Sequence, residues 1–266
     1  MYLLLVNPKA GNQRYRRIER SFTSLLNKLD IKYKLVMIDD LANIEELIKQ
    51  NTKTSVKAVV AVGGNGTVTA IIDALADYRN LPLAIIPTSK TNLLAKILGA
   101  KNWKIGVRIL AHHEKKQLRL GKIGERYFAG SLLISPKRTL LANLFEKKSL
   151  LRNFIGANTK IIPKEEHHVA CKIKIDDEFI VKCQLHAMVI YFQDEFGKKM
   201  KIHLNTYNEK NPEESIFRAN QIEVEGSLNM PIISGNDTVA HTPAKIQAIG
   251  KTIPVLATPK SPSKIS

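Results

Sequence analysis

Residues 59–75 read VVAVGGNGTVTAIIDAL, and this stretch decides the fold. Its valine-rich start indicates a buried strand, and its end places apolar side chains at helical spacing. Gly63, Gly64 and Gly66 stand between the two, where a phosphate can approach the backbone and the positive end of a helix, and the Thr67 hydroxyl can add a donor. The alternative is a structural turn that joins a strand to a helix and binds no ligand.

The sequence on either side of this stretch repeats the same alternation. Apolar runs predict strands at Tyr2–Val6 and Leu83–Ile86, and helical spacing predicts helices at Arg14–Leu29 and Thr91–Leu98. Strands that alternate with helices predict right-handed βαβ units around a parallel sheet. After residue 114 short strands dominate, so we expect an α/β domain over residues 1–114, a β-rich domain over 115–258 and a flexible tail over 259–266.

The composition excludes several classes of protein. The chain has 266 residues, of which 44% are hydrophobic and 24% charged, which is typical of a folded protein and not of a disordered one. Two cysteines cannot form a disulfide framework and fit a reducing cytosol. The apolar run at the N-terminus ends at Val6, too early for a signal peptide, and no apolar stretch is long enough to span a membrane. We therefore expect a cytoplasmic protein.

The positive charge is concentrated in one segment. The formal net charge is +17, and residues 101–164 contribute +12 from 15 basic and 3 acidic side chains. Such a patch fits an anionic membrane surface, nucleic acid or a phosphorylated ligand, or it serves solubility alone. Nucleic acid is the weakest of these, because the aromatic fraction is 6% and the only tryptophan is Trp103. Residues 140–154 mix leucine with lysine and arginine, which suits either a lipid interface or a helix packed on its own core.

Two further loops are predicted at the same edge of the sheet as the glycine turn. The sequence Asn7-Pro8-Lys9-Ala10-Gly11 follows the first strand, and Pro87-Thr88-Ser89-Lys90-Thr91-Asn92 follows a later one. Small polar side chains and backbone donors on three such loops suit the phosphates and sugar of a nucleotide. The candidate binding residues are Asn7, Gly11, Gly63, Gly64, Gly66, Thr67, Ser89, Lys90 and Asn92.

These three motifs, in this order and spacing, resemble those of the diacylglycerol kinase catalytic-domain family, whose motifs are approximately NPxSG, GGDGTxxE and PxGTxND. That family includes bacterial lipid kinases and sphingosine kinases and is distantly related to NAD kinases. The resemblance implies an α/β nucleotide-binding domain followed by a β-sandwich domain. It also implies transfer of the γ-phosphoryl group of ATP to a lipid hydroxyl, with Mg²⁺ as cofactor. The implied partners are a lipid substrate or an anionic membrane surface, which would make the protein peripheral to the membrane.

The sequence departs from the family at its acidic positions. Asn65 replaces the acid of GGDGT, Ala70 replaces the glutamate that follows, and Leu93 replaces the aspartate of the third motif. Asp237 stands where the family carries Asp-Gly-Glu. The candidate catalytic residues are Asp237 and Asn65. Asn65 cannot act as a base, and loss of a general base costs roughly 10²–10⁴-fold in rate. A catalytically degenerate member that binds nucleotide or lipid as a regulator is therefore the alternative function, and no metal ligand can be named.

Three other groupings carry weaker signals. Cys171 and Cys183 with His167 and His168 match no standard zinc spacing and are expected in the core. The adjacent pair His112 and His113 is expected at the surface. His186 and Asp194 would need a nucleophile, and the sequence has no G-x-S-x-G elbow to supply one.

Overall fold

A computed structural model of the chain describes residues 1–52, 55–78, 80–89, 92–136, 168–192, 199–208, 211–234 and 237–259. The chain divides into two units. The first holds Met1–Leu120 together with Lys251–Ser266, and the second holds Gly121–Gly250. The chain therefore leaves the first unit, forms the second, and returns to complete the first.

A parallel sheet forms the centre of the first unit, with the strand order β2-β1-β3-β4-β15. The end of β15 joins β4 through the pairing of Val255 with Leu83. Every residue of β1, β3 and β4 is buried, as expected for parallel strands covered on both faces. The predicted parallel α/β region is thus confirmed. The strands are β1 (Tyr2–Val6), β2 (Tyr33–Met37), β3 (Val59–Gly63), β4 (Leu83–Pro87) and β15 (Ala244–Ala257).

Helices cover both faces of this sheet. Helix α1 packs against α5, where the Phe22 ring lies 6.2 Å from the Trp103 ring, and α2 packs against α3. Because crossovers between parallel strands are right-handed as a rule, we expect α1 and its neighbour α5 on one face and α2 and α3 on the other. The helices are α1 (Ala10–Lys28), α2 (Ile44–Asn51), α3 (Asn65–Leu75), α4 (Leu93–Ile97) and α5 (Trp103–Ala111), with a 3₁₀ turn at Leu41–Asn43.

The second unit is built from antiparallel strands, which confirms the prediction of a strand-rich region. Strand β9 pairs with β8 along its first half and with β7 along its second half, and β10 pairs with its other edge. Buried aliphatic side chains from these strands form the core, among them Ile173, Met188 and Ile202. The strands are β5 (Glu114–Ile123, which begins in the first unit), β6 (Arg126–Phe128), β7 (Ser131–Ile134), β8 (Val169–Ile175), β9 (Phe179–Tyr191), β10 (Met200–Asn208), β11 (Asn211–Ala219), β12 (Gln221–Gly226), β13 (Pro231–Ser234) and β14 (Asp237–His241).

The hairpin between β8 and β9 turns at two aspartates. Asp176 and Asp177 adopt left-handed backbone angles, with φ of 48° and 61°, which a short polar residue tolerates in a tight turn. The sequence also predicts a break between two strands at His186, and this is wrong. Strand β9 runs without a break through His186. This residue is 1% exposed, and its ring lies 6.5 Å from that of Tyr207.

Some predicted features lie outside the described residues. They are the amphipathic stretch 140–154, Lys90, His167, Asp194 and residues 260–266 of the tail. Among the residues that the structure describes, no helix is both long enough and apolar enough to cross a membrane.

Candidate functional site

Three loops of the first unit meet at one edge of its sheet. Because β1, β3 and β4 are parallel neighbours, their carboxyl ends share this edge, where open α/β sheets bind ligands. The three loops, here called the rim loops, are residues 7–11, 63–67 and 87–92, of which 90 and 91 lie outside the described residues. The sheet therefore brings together the three motifs that are far apart in the sequence.

A side-chain hydrogen bond joins the first rim loop to the second. The Asn7 amide Nδ2 donates to the Thr67 hydroxyl at 2.9 Å, and Asn7 Oδ1 accepts from the Lys9 backbone N–H at 3.0 Å. Both polar ends of Asn7 are thus engaged. Thr67 is buried, so this bond fixes the start of α3 against the loop after β1.

Two glycines allow close packing within and between the rim loops. Gly11 has a φ of 61°, and a Cβ atom on it would stand 2.3 Å from the Thr88 carbonyl oxygen. A Cβ atom on Gly63 would stand 2.5 Å from Thr67 Oγ1. The Thr88 N–H donates to the Gly63 carbonyl at 3.0 Å, which joins the third loop to the second. Replacing Gly11 would displace the third rim loop, and replacing Gly63 would displace Thr67 in the first turn of α3.

Gly64 differs from these two glycines, because the space beside it is open. A Cβ atom on Gly64 would meet only the Ala10 Cβ, at 3.9 Å. Gly64 is the N-cap of α3 and supplies no side-chain acceptor, and the first turn of α3 contains no acidic residue. The first N–H groups of a helix have no intrahelical partner and carry a partial positive charge. An anion therefore has both room and electrostatic attraction in front of α3.

The third rim loop carries buried polar atoms that find no partner among the described residues. Asn92 is 1% exposed; its Oδ1 caps α4 by accepting from the Ala95 N–H at 2.9 Å, but its Nδ2 has no acceptor in the described part of the chain. The Thr88 and Ser89 hydroxyls are likewise buried and form no hydrogen bond with a described residue. Buried polar groups are normally satisfied, so these atoms suit contact with a ligand. Thr88 was not among the predicted site residues, although a hydroxyl directly after a strand at this edge is the signal that finds it.

The acidic groups expected of a metal-dependent kinase are not found on the described part of the rim loops. Asn65 opens α3 with a neutral side chain at the position of the family's acid. Asp237 opens β14 in the second unit, opposite Ser234 in the β13–β14 register. Across the described residues, no group of three histidine, cysteine or acidic side chains is placed to hold a metal ion.

The weaker sequence candidates resolve as structural residues. Cys171 and Cys183 face each other across β8 and β9, and Cys171 is buried in the core of the second unit. Burial raises the pKa of the Cys171 thiol to about 12, which makes the thiolate scarce and metal binding or redox chemistry unfavourable. His168 stacks on Tyr207, with ring centroids 5.6 Å apart. His112 is exposed, as predicted, whereas His113 is partly buried.

The first unit is an α/β unit with a glycine-rich strand-to-helix turn at the carboxyl edge of its sheet, an arrangement that in other proteins often binds phosphate groups. Residues 1–123 match the diacylglycerol kinase catalytic domain family, which confirms the resemblance seen in the three motifs. The family match covers the five helices and the first five strands, β1 to β5.

Curated relatives support the same assignment. The diacylglycerol kinases of Staphylococcus epidermidis and Staphylococcus aureus are each 21% identical to this chain over 155 residues, or 58% of it. The match spans about half of those proteins, 48% of each.

A crystal structure of a diacylglycerol kinase from Bacillus anthracis aligns over 97% of both chains with a TM-score of 0.65 and 16% identity. A further solved chain from the same organism reaches a TM-score of 0.72 at 16% identity and 97% coverage of both chains, so the two units share their fold with these proteins.

Proposed function

We propose that the rim loops bind ATP and that the protein transfers the γ-phosphoryl group of this ATP to the hydroxyl of a lipid such as diacylglycerol. The observation that carries the proposal is the open space at Gly64 in front of α3, at the same edge of the sheet where the third rim loop carries buried donors that find no partner among the described residues. The family match and the curated kinases support the reaction class.

The rim loops fit the phosphates of a nucleotide. Gly64 lets a phosphate approach the N–H groups that begin α3, and no acidic side chain in the first turn of that helix repels it. The hydrogen bond from Asn7 to Thr67 holds the first and second loops at a fixed separation. The Thr88 hydroxyl and the Asn92 amide can then donate to oxygens of the bound ligand. In phosphoryl transfer, positioning and electrostatic stabilisation of this kind provide most of the rate enhancement.

The described residues do not fit Mg²⁺ in the same way. Mg²⁺ is normally held by one or two carboxylates together with substrate phosphates. The described part of the rim loops offers only neutral oxygens at the corresponding place, such as the Asn65 amide.

The lack of acidic side chains on the described part of the rim loops favours a second candidate function. In this alternative the protein is a member of the family that binds nucleotide without transferring phosphate. Asn65 accepts or donates hydrogen bonds but cannot remove a proton from a hydroxyl group. With the family's carboxylate absent at this position, nucleotide binding would be retained and the chemical step slowed by roughly 10²–10⁴-fold.

Nucleotide binding is tested first. Calorimetric titration of ATP is compared between the wild type, Gly64→Ala and Gly124→Asn. Gly124 lies in the β5–β6 hairpin with a φ of 54° and open space around it, so asparagine there is tolerated and serves as the control. We expect the Gly64 variant to lose at least tenfold in affinity and the control to match the wild type. A wild type that binds no nucleotide would refute both candidate functions.

Phosphoryl transfer is tested separately with labelled ATP, Mg²⁺ and diacylglycerol in mixed micelles. Labelled lipid product from the wild type supports the kinase. Product only from the Asn65→Asp variant, with equal nucleotide binding by both proteins, supports the non-catalytic member.

A further inference from the structure

Three side chains of the second unit form a hydrogen-bonded chain across strands β9, β10 and β11. The Tyr191 hydroxyl lies 3.0 Å from His203 Nε2, and His203 Nδ1 lies 3.2 Å from Glu214 Oε1. An ionised carboxylate can only accept, so Nδ1 carries the imidazole proton and Nε2 accepts from the tyrosine hydroxyl. In this order of groups, an imidazole can take a proton from a hydroxyl while the carboxylate orients the ring. We call these three residues the proton chain.

The proton chain lies on the face of its sheet that points away from the hydrophobic core. Tyr191 and His203 alternate along their strands with the core residues Ile190 and Ile202. Packing of the core therefore does not require them. Tyr191 is buried, whereas Glu214 is exposed, so the chain leads from a buried hydroxyl to a carboxylate that water can reach.

Two more polar side chains stand beside the proton chain on the same face. Ser131 is buried directly opposite Tyr191. Asn205 is buried directly opposite Glu214, and its Nδ2 finds no acceptor among the described residues. Buried amide groups normally find a partner, so this N–H suits an oxygen of a bound ligand. A ligand with a hydroxyl for Tyr191 and a nearby carbonyl for Asn205 matches both groups, and an acylglycerol has this chemistry.

The charged groups around the imidazole have both signs. Glu214 favours the imidazolium, whereas Lys201 on the same strand as His203 and Arg218 opposite Lys201 disfavour it. Burial raises the pKa of Tyr191, Arg218 opposes this shift and Glu214 adds to it. The phenol is therefore protonated at neutral pH and donates to His203, and a phenol oxygen that donates can also accept a hydrogen bond.

We propose that Tyr191 is a catalytic residue that accepts the proton of the acceptor alcohol, with His203 and Glu214 as its positioning residues. This inference rests on the proposed function, which supplies the alcohol and the phosphoryl donor. The alcohol gives its proton to Tyr191 Oη as Tyr191 passes its own to His203 Nε2, and Glu214 stabilises the imidazolium. The alcohol oxygen bonds to the γ-phosphorus of ATP as the bond from that phosphorus to ADP breaks, and His203 then returns the proton to water. The proton chain would thus replace the carboxylate that is missing at Asn65.

Binding of the alcohol is tested without ATP, by histidine-selective ¹⁵N NMR of the full chain. The chain has 7 histidines, and loss of a ring signal in His203→Gln assigns that of His203. We expect dihexanoylglycerol to shift the His203 Nε2 signal in the wild type, but not in Tyr191→Phe. The same compound with a methylated hydroxyl should cause no shift. Tyr207→Phe is the matched control, because the Tyr207 ring stacks on His168 and should keep that contact without its hydroxyl.

The NMR titration alone can overturn the proposal. A wild type whose His203 signal ignores the alcohol would do so, and so would an equal shift in Tyr191→Phe. A wild type that shows the shift but forms no labelled lipid with ATP would refute the proposed phosphoryl transfer and still support an alcohol site at Tyr191. Failure of this inference is thereby distinguished from failure of the proposed function.

The rate of phosphoryl transfer to dihexanoylglycerol gives a second readout. Loss of a general base costs roughly 10²–10⁴-fold, so we expect a loss of this size in kcat for Tyr191→Phe, with the KM for ATP unchanged and Tyr207→Phe equal to the wild type. The wild-type kcat should fall in acid, because a protonated His203 cannot accept a proton, and this acidic limb should be absent from the residual activity of His203→Gln. Wild-type kcat in Tyr191→Phe, or an unchanged acidic limb in His203→Gln, would overturn the proposal.

Discussion

The adjacent glycines at 63 and 64 predict opposite effects for the same substitution. In Gly63→Ala, the new methyl group would lie 2.5, 2.6 and 2.8 Å from Thr67 Oγ1, Cβ and Cγ2. Carbon contacts are optimal at about 3.5–4.0 Å, so the first turn of α3 must shift by about 1 Å. Overpacking of this kind costs about 2–3 kcal/mol in the free energy of unfolding.

Gly64→Ala should leave stability unchanged or raise it. The backbone at this position has φ −91° and ψ −168°, which alanine adopts without strain, and the methyl group would lie 3.9 Å from the Ala10 Cβ. Replacing glycine at a compatible position stabilises by about 0.5 kcal/mol, because the unfolded chain loses freedom. The two variants should therefore differ by about 3 kcal/mol.

Urea unfolding followed by far-UV circular dichroism measures this difference. A Gly63 variant within 0.5 kcal/mol of the wild type, or a Gly64 variant destabilised as much as its neighbour, would show that the rim geometry described here is wrong. Together with the ATP titration, the Gly64 variant separates stability from binding, since it should keep the first and lose the second.

Two more predictions concern single interactions. A double-mutant cycle between Asn7→Ala and Thr67→Val should give a coupling energy of about 1 kcal/mol in urea unfolding, and a coupling near zero would contradict the hydrogen bond between the two side chains. The pKa of the Cys171 thiol is raised by burial from 9.0 to about 12, so the unfolded chain releases this proton at lower pH than the folded chain. The contribution of this thiol to the free energy of unfolding should be full below pH 9 and be lost as pH rises from 9 to 12. Cys171→Ala should therefore flatten that part of the pH profile measured by urea unfolding. An unchanged slope would argue against the buried thiol.

Local periodicity in the sequence predicts most of the first unit. Buried apolar runs and helical spacing locate β1, β3, β4, α1 and α3 to within a few residues. Helix α5 was missed, although Asn102 accepts from the Ile105 N–H at 3.1 Å as its N-cap and buried Trp103, Val107 and Leu110 follow at helical spacing.

The second unit was harder to predict, because pairing rather than local pattern defines its strands. Strand β11 is polar and mostly exposed and is ordered by its antiparallel register with β10, from Met200 with Ala219 onwards. Strands β7 and β13 have four residues each, too few for an alternating pattern to be recognised.

The site was predicted by residue type but not by role. The glycine turn follows from the sequence alone, because few other residues permit a strand-to-helix turn with open backbone. The sequence does not reveal that Gly63 serves loop packing while Gly64 leaves space for a ligand. Asn92 was predicted to bind nucleotide, and its Oδ1 is occupied by the cap of α4, which leaves only its amide nitrogen for a ligand.

The contact between Phe22 and Trp103 gives the protein a natural optical reporter. The chain has a single tryptophan, which is 8% exposed and lies in the first unit. Exposure of this indole to water would shift its emission to longer wavelength only when the first unit opens. Backbone circular dichroism, by contrast, reports the loss of structure in both units. Comparing the two signals along one urea titration would therefore reveal whether the first unit and the strand-rich second unit unfold together or in succession.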